Sequence, residues 1–261
     1  MLRFKSLGSG SSGNATLVEA QSGAHTTRLL VDCGLRLSEL ESRLNEAGTS
    51  AEELDALFIT HEHGDHIGCA RSLAKRYATP LWMSQGTWLA VCDATWMAHQ
   101  HLLHVARDGC DIEIGVLQVL PFTVPHDARE PLQLRCSDGN KHLGLVTDLG
   151  HASSHVIASL QGCDALMLEA NHDPDLLQAS AYPSFLKQRV AGPWGHLANS
   201  AAAQLLASIK HDQLNHVQAA HLSERNNTPE LARASLSQAL GCHSDEIDVA
   251  DPQRGSAWVQ V

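Results

Sequence analysis

A layered α/β fold is what this sequence predicts, on three observations. Short strand-like runs crowd the front of the chain. Strand and helix patterns alternate through the second half. Residues able to ligate metal recur where apolar runs end. Strand runs and alternating units around one hydrophobic core are the pattern of a layered α/β protein. No long linker, low-complexity tract or repeat with a period of about 20–50 residues interrupts the chain, so residues 1–261 are expected to form one domain.

The elements follow in order. Strands are expected at Leu2–Leu7, Ala15–Glu19 and Thr27–Val31, and a helix from Leu35 to Ala47. The run "ALFITH" (56–61) reads as a buried strand ending in polar residues, Ile67–Tyr77 as helix and Pro80–Ser84 as strand. In "MAHQHLLHVARDGC", His101 and His104 fall three apart on a candidate helix with no carboxylate facing them. With His99 they are read as surface or structural histidines. Ile112–Val124 is apolar and rich in β-formers. Leu132–Cys136 and His142–Thr147 flank "SDGNK", whose Asp-Gly pair signals a hairpin. Beyond it come helix Ser153–Leu160, strand 164–170, helix Asn199–Lys210, strand 216–223, helix Pro229–Leu240 and a tail strand.

Composition narrows the function. The formal charge of −11 argues against a protein that coats nucleic acid, since phosphate binding needs a basic surface. It leaves room for an enzyme whose local positive charge comes from bound divalent metal. The 17 histidines point the same way, histidine being the commonest metal ligand. Seven cysteines without a CxxC pair suit reduced thiols, and no apolar run is long enough to span a membrane; a soluble, cytoplasmic protein is expected. A homodimer is left open.

The strongest motif is "THEHGDHIG" (60–68), which places His61, His63, Asp65 and His66 within six residues after a strand. A strand would carry His61 and His63 to one side, and the turn would bring Asp65 and His66 from another, so one loop can feed two cations. Downstream, "VPHDA" offers His126, "LVTDLG" Asp148 and "AAHLSE" His221, each where a strand candidate empties into a loop. Singly, these have ordinary readings: a capped turn, an N-cap for the helix after Asp148, a core histidine. Imidazole and carboxylate together suit zinc or manganese, and the lack of cysteine ligands disfavours a structural zinc site.

With its later His, Asp and His, "THEHGDHIG" resembles the metallo-β-lactamase-fold hydrolases, the HxHxDH superfamily, over nearly the whole chain. The resemblance implies an αββα four-layer sandwich with two divalent metal ions per chain, Zn²⁺ or Mn²⁺, with iron also hosted by the fold. His61, His63 and His126 would hold one ion, Asp65, His66 and His221 the other, and Asp148 would bridge both. Two such ions about 3.5–4 Å apart clamp a bridging water and bring its pKa toward about 7, which is the chemistry of ester or phosphodiester hydrolysis.

"SLGSGSSGNATLVEA", "LMLEANHDPDLL" (166–177) and "YPSFLKQRVAGPWGHLANSAAAQLL" (182–206) look like the YycJ/VicX (WalJ) branch, and more distantly like ribonuclease Z and the phosphodiesterase PhnP. Cys33 and Ala198 depart from that pattern. The branch implies phosphodiesterase or 5′-exonuclease action on single-stranded nucleic acid or a nucleotide diester. Asp65 is then both ligand and catalytic carboxylate, His196 a general acid, and Glu169 the group orienting it. The alternative is a thioester or lactone hydrolase of glyoxalase or lactonase type.

Candidate substrate contacts are Ser11, Ser12, Asn14, His172, Lys187 and Arg189. The glycine-serine loop holding the first three lacks a P-loop ending and is read either as an anion nest or as a tight turn under the site. His172 either lines the site or closes a turn. "FLKQRV" suits a helix with a solvated face. Tyr182 and Trp194 suit base stacking or a place at the rim.

Overall fold

The front of the chain does build a sheet by local pairing. In the computed structural model, which describes residues 1–261, strands β1 (Leu2–Gly8), β2 (Ala15–Ser22) and β3 (His25–Val31) run antiparallel in sequence. Helix α1 (Leu37–Glu46) then crosses over to β4 (Ala56–Phe58), parallel to β3. The short α2 (Gly64–Ile67), then α3 (Ala70–Tyr77), lead to β5 (Leu81–Ser84), and α4 (Gln85–Val91) and α5 (Ala94–Met97) lead to β6 (Leu103–Ala106).

A second sheet takes β7 (Ile112–Ile114), β8 (Leu117–Thr123), β9 (Leu132–Ser137) and β10 (His142–Val146) as an antiparallel meander. Helix α6 (Ser154–Leu160) leads to β11 (Ala165–Glu169). Helices α7 (Pro174–Ala179), α8 (Ser184–Val190) and α9 (Asn199–Ile209) precede β12 (His216–Ala220). Helix α10 (Pro229–Leu240) precedes β13 (Asp248–Val249), and β14 (Val259–Gln260) returns to pair with β1. Strands β10 to β13 are parallel. The orders are β14-β1-β2-β3-β4-β5-β6 and β13-β12-β11-β10-β9-β8-β7.

Three apolar clusters mark four layers. One lies between the sheets and joins Phe4, Val18, Leu29 and Phe58 to Leu117, Leu134, Leu145 and Met167. A second packs Leu40, Leu44 and Leu73 of α1 and α3 on the outer face of the first sheet. The third packs Val156, Leu205, Leu206 and Leu236 of α6, α9 and α10 on the second. This is the αββα sandwich that the sequence predicts.

The differences are local. His101 and His104 do not share a helix: His104 lies on β6, stacked on Trp82 of the neighbouring β5 (ring centroids 4.7 Å apart). Helices α4, α5 and α7 are too short to show a period. Strand β4 ends at Phe58, so His61 and His63 stand on the following loop rather than on the strand. Asp148 does not cap α6; the Ser153 side chain does, accepting from Val156 N.

Candidate metal centre

The site forms where the ends of β1, β3, β4, β10, β11 and β12 meet. Backbone approach there is too close for side chains. A Cβ on Gly34 would fall 1.8 Å from Asp65 O, one on Gly13 2.8 Å from Gly34 O, and one on Gly68 2.6 Å from Cys33 O. Asn14 N donates to Asp65 O, Gly34 N to Asn14 O and Cys33 N to His66 O, locking three loops together. Cys33, one of the two departures from the family pattern, is buried here with its Sγ 3.1 Å from that of Cys69.

The ligand-type residues converge. His63 Nδ1 lies 3.0 Å from His61 Nε2 and 3.3 Å from His126 Nε2. Asp65, His66 and His221 form a second group, with Asp65 Oδ2 3.7 Å from His66 Nε2 and 3.5 Å from His221 Nε2. Asp148 stands between them: Oδ1 is 3.7 Å from His126 Nε2 and Oδ2 is 2.9 Å from His66 Nε2.

The outer nitrogen of each imidazole faces a partner outside the cluster. His61 Nδ1 meets Thr60 Oγ1 at 3.0 Å, His66 Nδ1 meets Asp32 Oδ2 at 2.7 Å, and His126 Nδ1 meets Gly195 O at 3.0 Å. His221 Nδ1 meets Glu169 Oε1 at 3.1 Å, and His63 Nε2 lies 3.8 Å from Asp127 Oδ1. One nitrogen inward and one held outside is how metal-binding histidines are oriented. His221 Nε2 is buried without a hydrogen-bond partner, and Asp148 Oδ2, though 2.9 Å from His66 Nε2, is not aligned to accept from it, a costly condition for polar atoms that a cation would relieve. The donor set fits divalent metal.

Protonation follows from burial and charge. Burial pushes His61 and His126 below the usual imidazole range. Burial also opposes charge on His66 and His221, but the Asp148 carboxylate outweighs it, with Asp32 beside His66 and Asp65 and Glu169 beside His221. His66 is held well above its ordinary value and His221 is raised to about 10. Against its own burial, Asp148 is held well below the carboxylate range by His221 and His66.

Glu169 is fully buried. Its Oε2 accepts from Leu149 N and Leu197 N, and its Oε1 lies 2.8 Å from His196 Nδ1 as well as near His221. Burial would lower the pKa of His196, but the Glu169 carboxylate overrides this and raises it. His196 lines a cavity of about 380 Å³ together with Ser11, Asp65, Asp148, Tyr182 and Arg189.

The other candidates fall elsewhere. Asn14 is buried, with Oδ1 accepting from Gly10 N and Nδ2 reaching Asp65 O and His66 Nε2. Ser12 and Lys187 are absent from the cavity wall, and Lys187 Nζ donates to Gln178 O. His172 is buried behind the wall, its backbone bridged to Ala198. In the glycine-serine loop, Gly10 N and Gly13 N are bonded internally and Ser9 Oγ accepts from His221 N, while Ser11 reaches the cavity wall.

Two residues near the centre escaped the sequence reading. Asp32 directly follows β3 and accepts from Thr60 N and Thr60 Oγ1 besides holding His66. Its backbone is left-handed (φ 62°), as is that of His221 (φ 53°), a conformation disfavoured for side-chain-bearing residues that gathers at functional sites. The same strand-end signal that marks Asp148 marks Asp32. Asp127 has no such signal; only the fold brings it to Arg189, whose Nε is 2.6 Å from its Oδ2.

Comparison with known proteins agrees with this geometry. Residues 27–217 match the model of the beta-lactamase superfamily domain. The chain is 34% identical to exodeoxyribonuclease YycJ of Bacillus anthracis, over 92% of this chain and 89% of that one. It is 32% identical to exodeoxyribonuclease WalJ of Streptococcus pneumoniae, over 91% and 88%. Among solved structures, the metallo-β-lactamase-fold protein YhfI of Bacillus subtilis superposes with a TM-score of 0.73 at 18% identity, covering 99% of this chain and 98% of that one.

Proposed function

The chain belongs to the beta-lactamase superfamily, and from that premise we propose that it is a metal-dependent phosphodiesterase that trims single-stranded DNA from an end, as a 5′-exonuclease. The exodeoxyribonuclease names of its relatives support the nucleic-acid substrate. The observation that carries the reading within this chain is the His196–Glu169 pair at the cavity wall beside Asp148, at 2.8 Å and 3.3 Å from His196 Nδ1.

His61, His63 and His126 would hold one divalent ion and Asp65, His66 and His221 a second, with Asp148 offering an oxygen to each. The nitrogen and oxygen donors suit zinc or manganese, with iron a third candidate. Bound there, the ions supply Lewis acidity and water of lowered pKa. The chain's own residues do the rest. Glu169 accepts from Nδ1–H of His196 and stabilises the imidazolium, whose second proton, on Nε2, would pass to the departing 3′ or 5′ oxygen and leave the neutral ring bonded to Glu169. Asp32 and Glu169 hold the rings of His66 and His221 in place. Arg189 and Ser11 stand at the wall to meet phosphate oxygens, the guanidinium matching their geometry.

The test is incubation of the purified protein, supplied with Zn²⁺ or Mn²⁺, with a 5′-labelled single-stranded oligonucleotide and with bis(p-nitrophenyl) phosphate, beside Asp148→Ala and Asp65→Ala variants. Cleavage of both substrates, lost in both variants, is expected, and the product ladder reads exonuclease against endonuclease action. Turnover of a thioester or lactone in place of either diester would overturn the reading.

A further inference from the structure

Cys33 and Cys69 stand 36 positions apart in the chain and meet in the fold. Their sulfurs face each other at 3.1 Å, the one thiol-to-thiol hydrogen bond among the seven cysteines. Both residues belong to the apolar cluster on the outer face of the first sheet. Free cysteine packs as a small hydrophobe, so packing alone does not call for two thiols face to face.

The backbone around them is already set for a bond. Cys69 N donates to Cys33 O at 2.9 Å, and Cys33 N donates to His66 O at 2.7 Å. A Cβ on Gly68 would fall 2.6 Å from Cys33 O, so the chain before Cys69 is pressed against residue 33. A backbone bond of this kind holds two Cα atoms within the span that a disulfide bridges, about 4.4–6.8 Å. The sulfurs need close only from 3.1 Å to about 2.05 Å, and side-chain rotation supplies a change of that size.

Position says what such a bond would do. Cys33 adjoins Asp32, whose Oδ2 faces Nδ1 of His66, and Cys69 ends the segment that carries Asp65 and His66. Neither sulfur belongs to a ligand group. A bond between them would fasten that segment to the Asp32 turn and leave the ligand atoms alone. Exposure separates the two roles. Cys69 is 8% exposed and Cys33 0%. Cys69 also stands at the start of α3, where the thiolate, the attacking form, is favoured.

We propose that Cys33 and Cys69 form a peroxide-sensitive dithiol that closes to a disulfide and staples the Asp65–His66 segment in place. Cys69 attacks hydrogen peroxide, the O–O bond breaks, and a sulfenic acid and one water result. Cys33 then attacks the sulfenic sulfur: the S–O bond breaks, the S–S bond forms and a second water leaves. The two thiols give up two electrons and two protons, and the peroxide takes them. Pairs of this kind rest as thiols in a reducing compartment and close transiently. The step uses neither metal nor substrate, so it stands apart from the nuclease reading.

The test uses zinc-loaded protein, because zinc has no redox chemistry of its own. The protein is treated with a small excess of hydrogen peroxide, blocked with N-ethylmaleimide and digested without reductant. Mass spectrometry should find a peptide joining residues 33 and 69, two hydrogens lighter than the two thiol peptides together, and dithiothreitol should undo it. Oxidised protein should release zinc to a chromogenic chelator about tenfold more slowly than reduced protein. After chelation it should still melt about 4 °C or more higher. Cys33→Ala and Cys69→Ala should each bind zinc as the reduced wild type does, yet show neither change with peroxide. Absence of the joined peptide, with Cys69 either untouched or carried on to sulfinic acid, overturns the proposal. So does a disulfide that leaves zinc release unchanged or hastens it, since the bond would then hold nothing in place. Equal slowing in peroxide-treated Cys33→Ala also overturns it, because the effect would belong to another cysteine.

Discussion

At the scale of single residues, Glu169 matters most. One buried carboxylate accepts from two backbone N–H groups and faces Nδ1 of both His196 and His221. Glu169→Gln would turn its amide N–H₂ toward either the two backbone donors or the two imidazoles, stranding both members of that pair. It should destabilise the protein by roughly 3–5 kcal/mol, the scale of breaking a buried charged contact, and weaken metal binding about 10–100-fold through His221. Denaturant unfolding and metal titration read the two effects separately. His196→Ala should behave differently: His196 clusters with Asp148, Glu169 and His221, but it lies outside both the His61–His63–His126 and the Asp65–His66–His221 groups. Metal content should hold while cleavage of DNA slows about 10²–10⁴-fold. The loss on bis(p-nitrophenyl) phosphate should be much smaller, because a nitrophenolate leaves without a proton. Equal losses on both substrates would remove His196 from the general-acid role.

At the scale of elements, the centre depends on strand ends brought together through glycine. Gly34→Ala would drive a Cβ into Asp65 O, displacing the loop that carries Asp65 and His66. A stability loss of about 1–3 kcal/mol or more is expected from overpacking, with a shortfall in bound metal. Gly64→Ala, inside the histidine motif but facing open space without a positive φ, should change stability by no more than about 0.5 kcal/mol. Thermal melts of the two variants check this. The contrast shows what was legible in the sequence. His61 through His66 announced themselves because their donors crowd into one loop, and Asp148 and His221 because each ends an apolar strand run. Asp32 obeys the same rule but stands alone, with no histidine or second carboxylate beside it to draw notice. Asp127 and the packing of Gly13 against Gly34 depend on juxtaposition across the fold, which local pattern does not carry. The same limit explains β6: four residues at a sheet edge, with His104 the one histidine among them, have too short a period to separate strand from helix. The parallel strand β11, a continuous apolar run between the capped helices α6 and α7, was legible because parallel strands are buried on both faces.

For the whole molecule, the centre is also a cross-link between the sheets. His61, His63, Asp65 and His66 follow β4 of the first sheet, whereas His126, Asp148 and His221 follow β8, β10 and β12 of the second. Metal bound across that junction stabilises only the folded chain, by about 2.7 kcal/mol at a hundredfold excess over Kd. For a chain of this length that is a rise in thermal midpoint of roughly 5–10 °C. Its size should depend on pH. In chelated protein, burial disfavours charge on His221, but Asp148, Asp65 and Glu169 outweigh it and lift its pKa from 6.5 to about 10. A histidine raised in this way lends the fold its full contribution below about pH 6.5, its unfolded value, and loses it as pH climbs toward 10. His66, raised in the same direction by Asp148 and Asp32, adds to that loss. The metal takes the place of these protons, so it competes with them at low pH and escapes the decline at high pH. The midpoint of chelated protein should therefore fall from pH 6.5 to 8.5, and the gain on adding metal should widen over the same interval. Calorimetric scans of chelated and reloaded protein across that range would show it. A gain of constant size would mean that His66 and His221 hold no proton for the metal to displace, and that the three buried carboxylates Asp32, Asp148 and Glu169 are balanced in some other way.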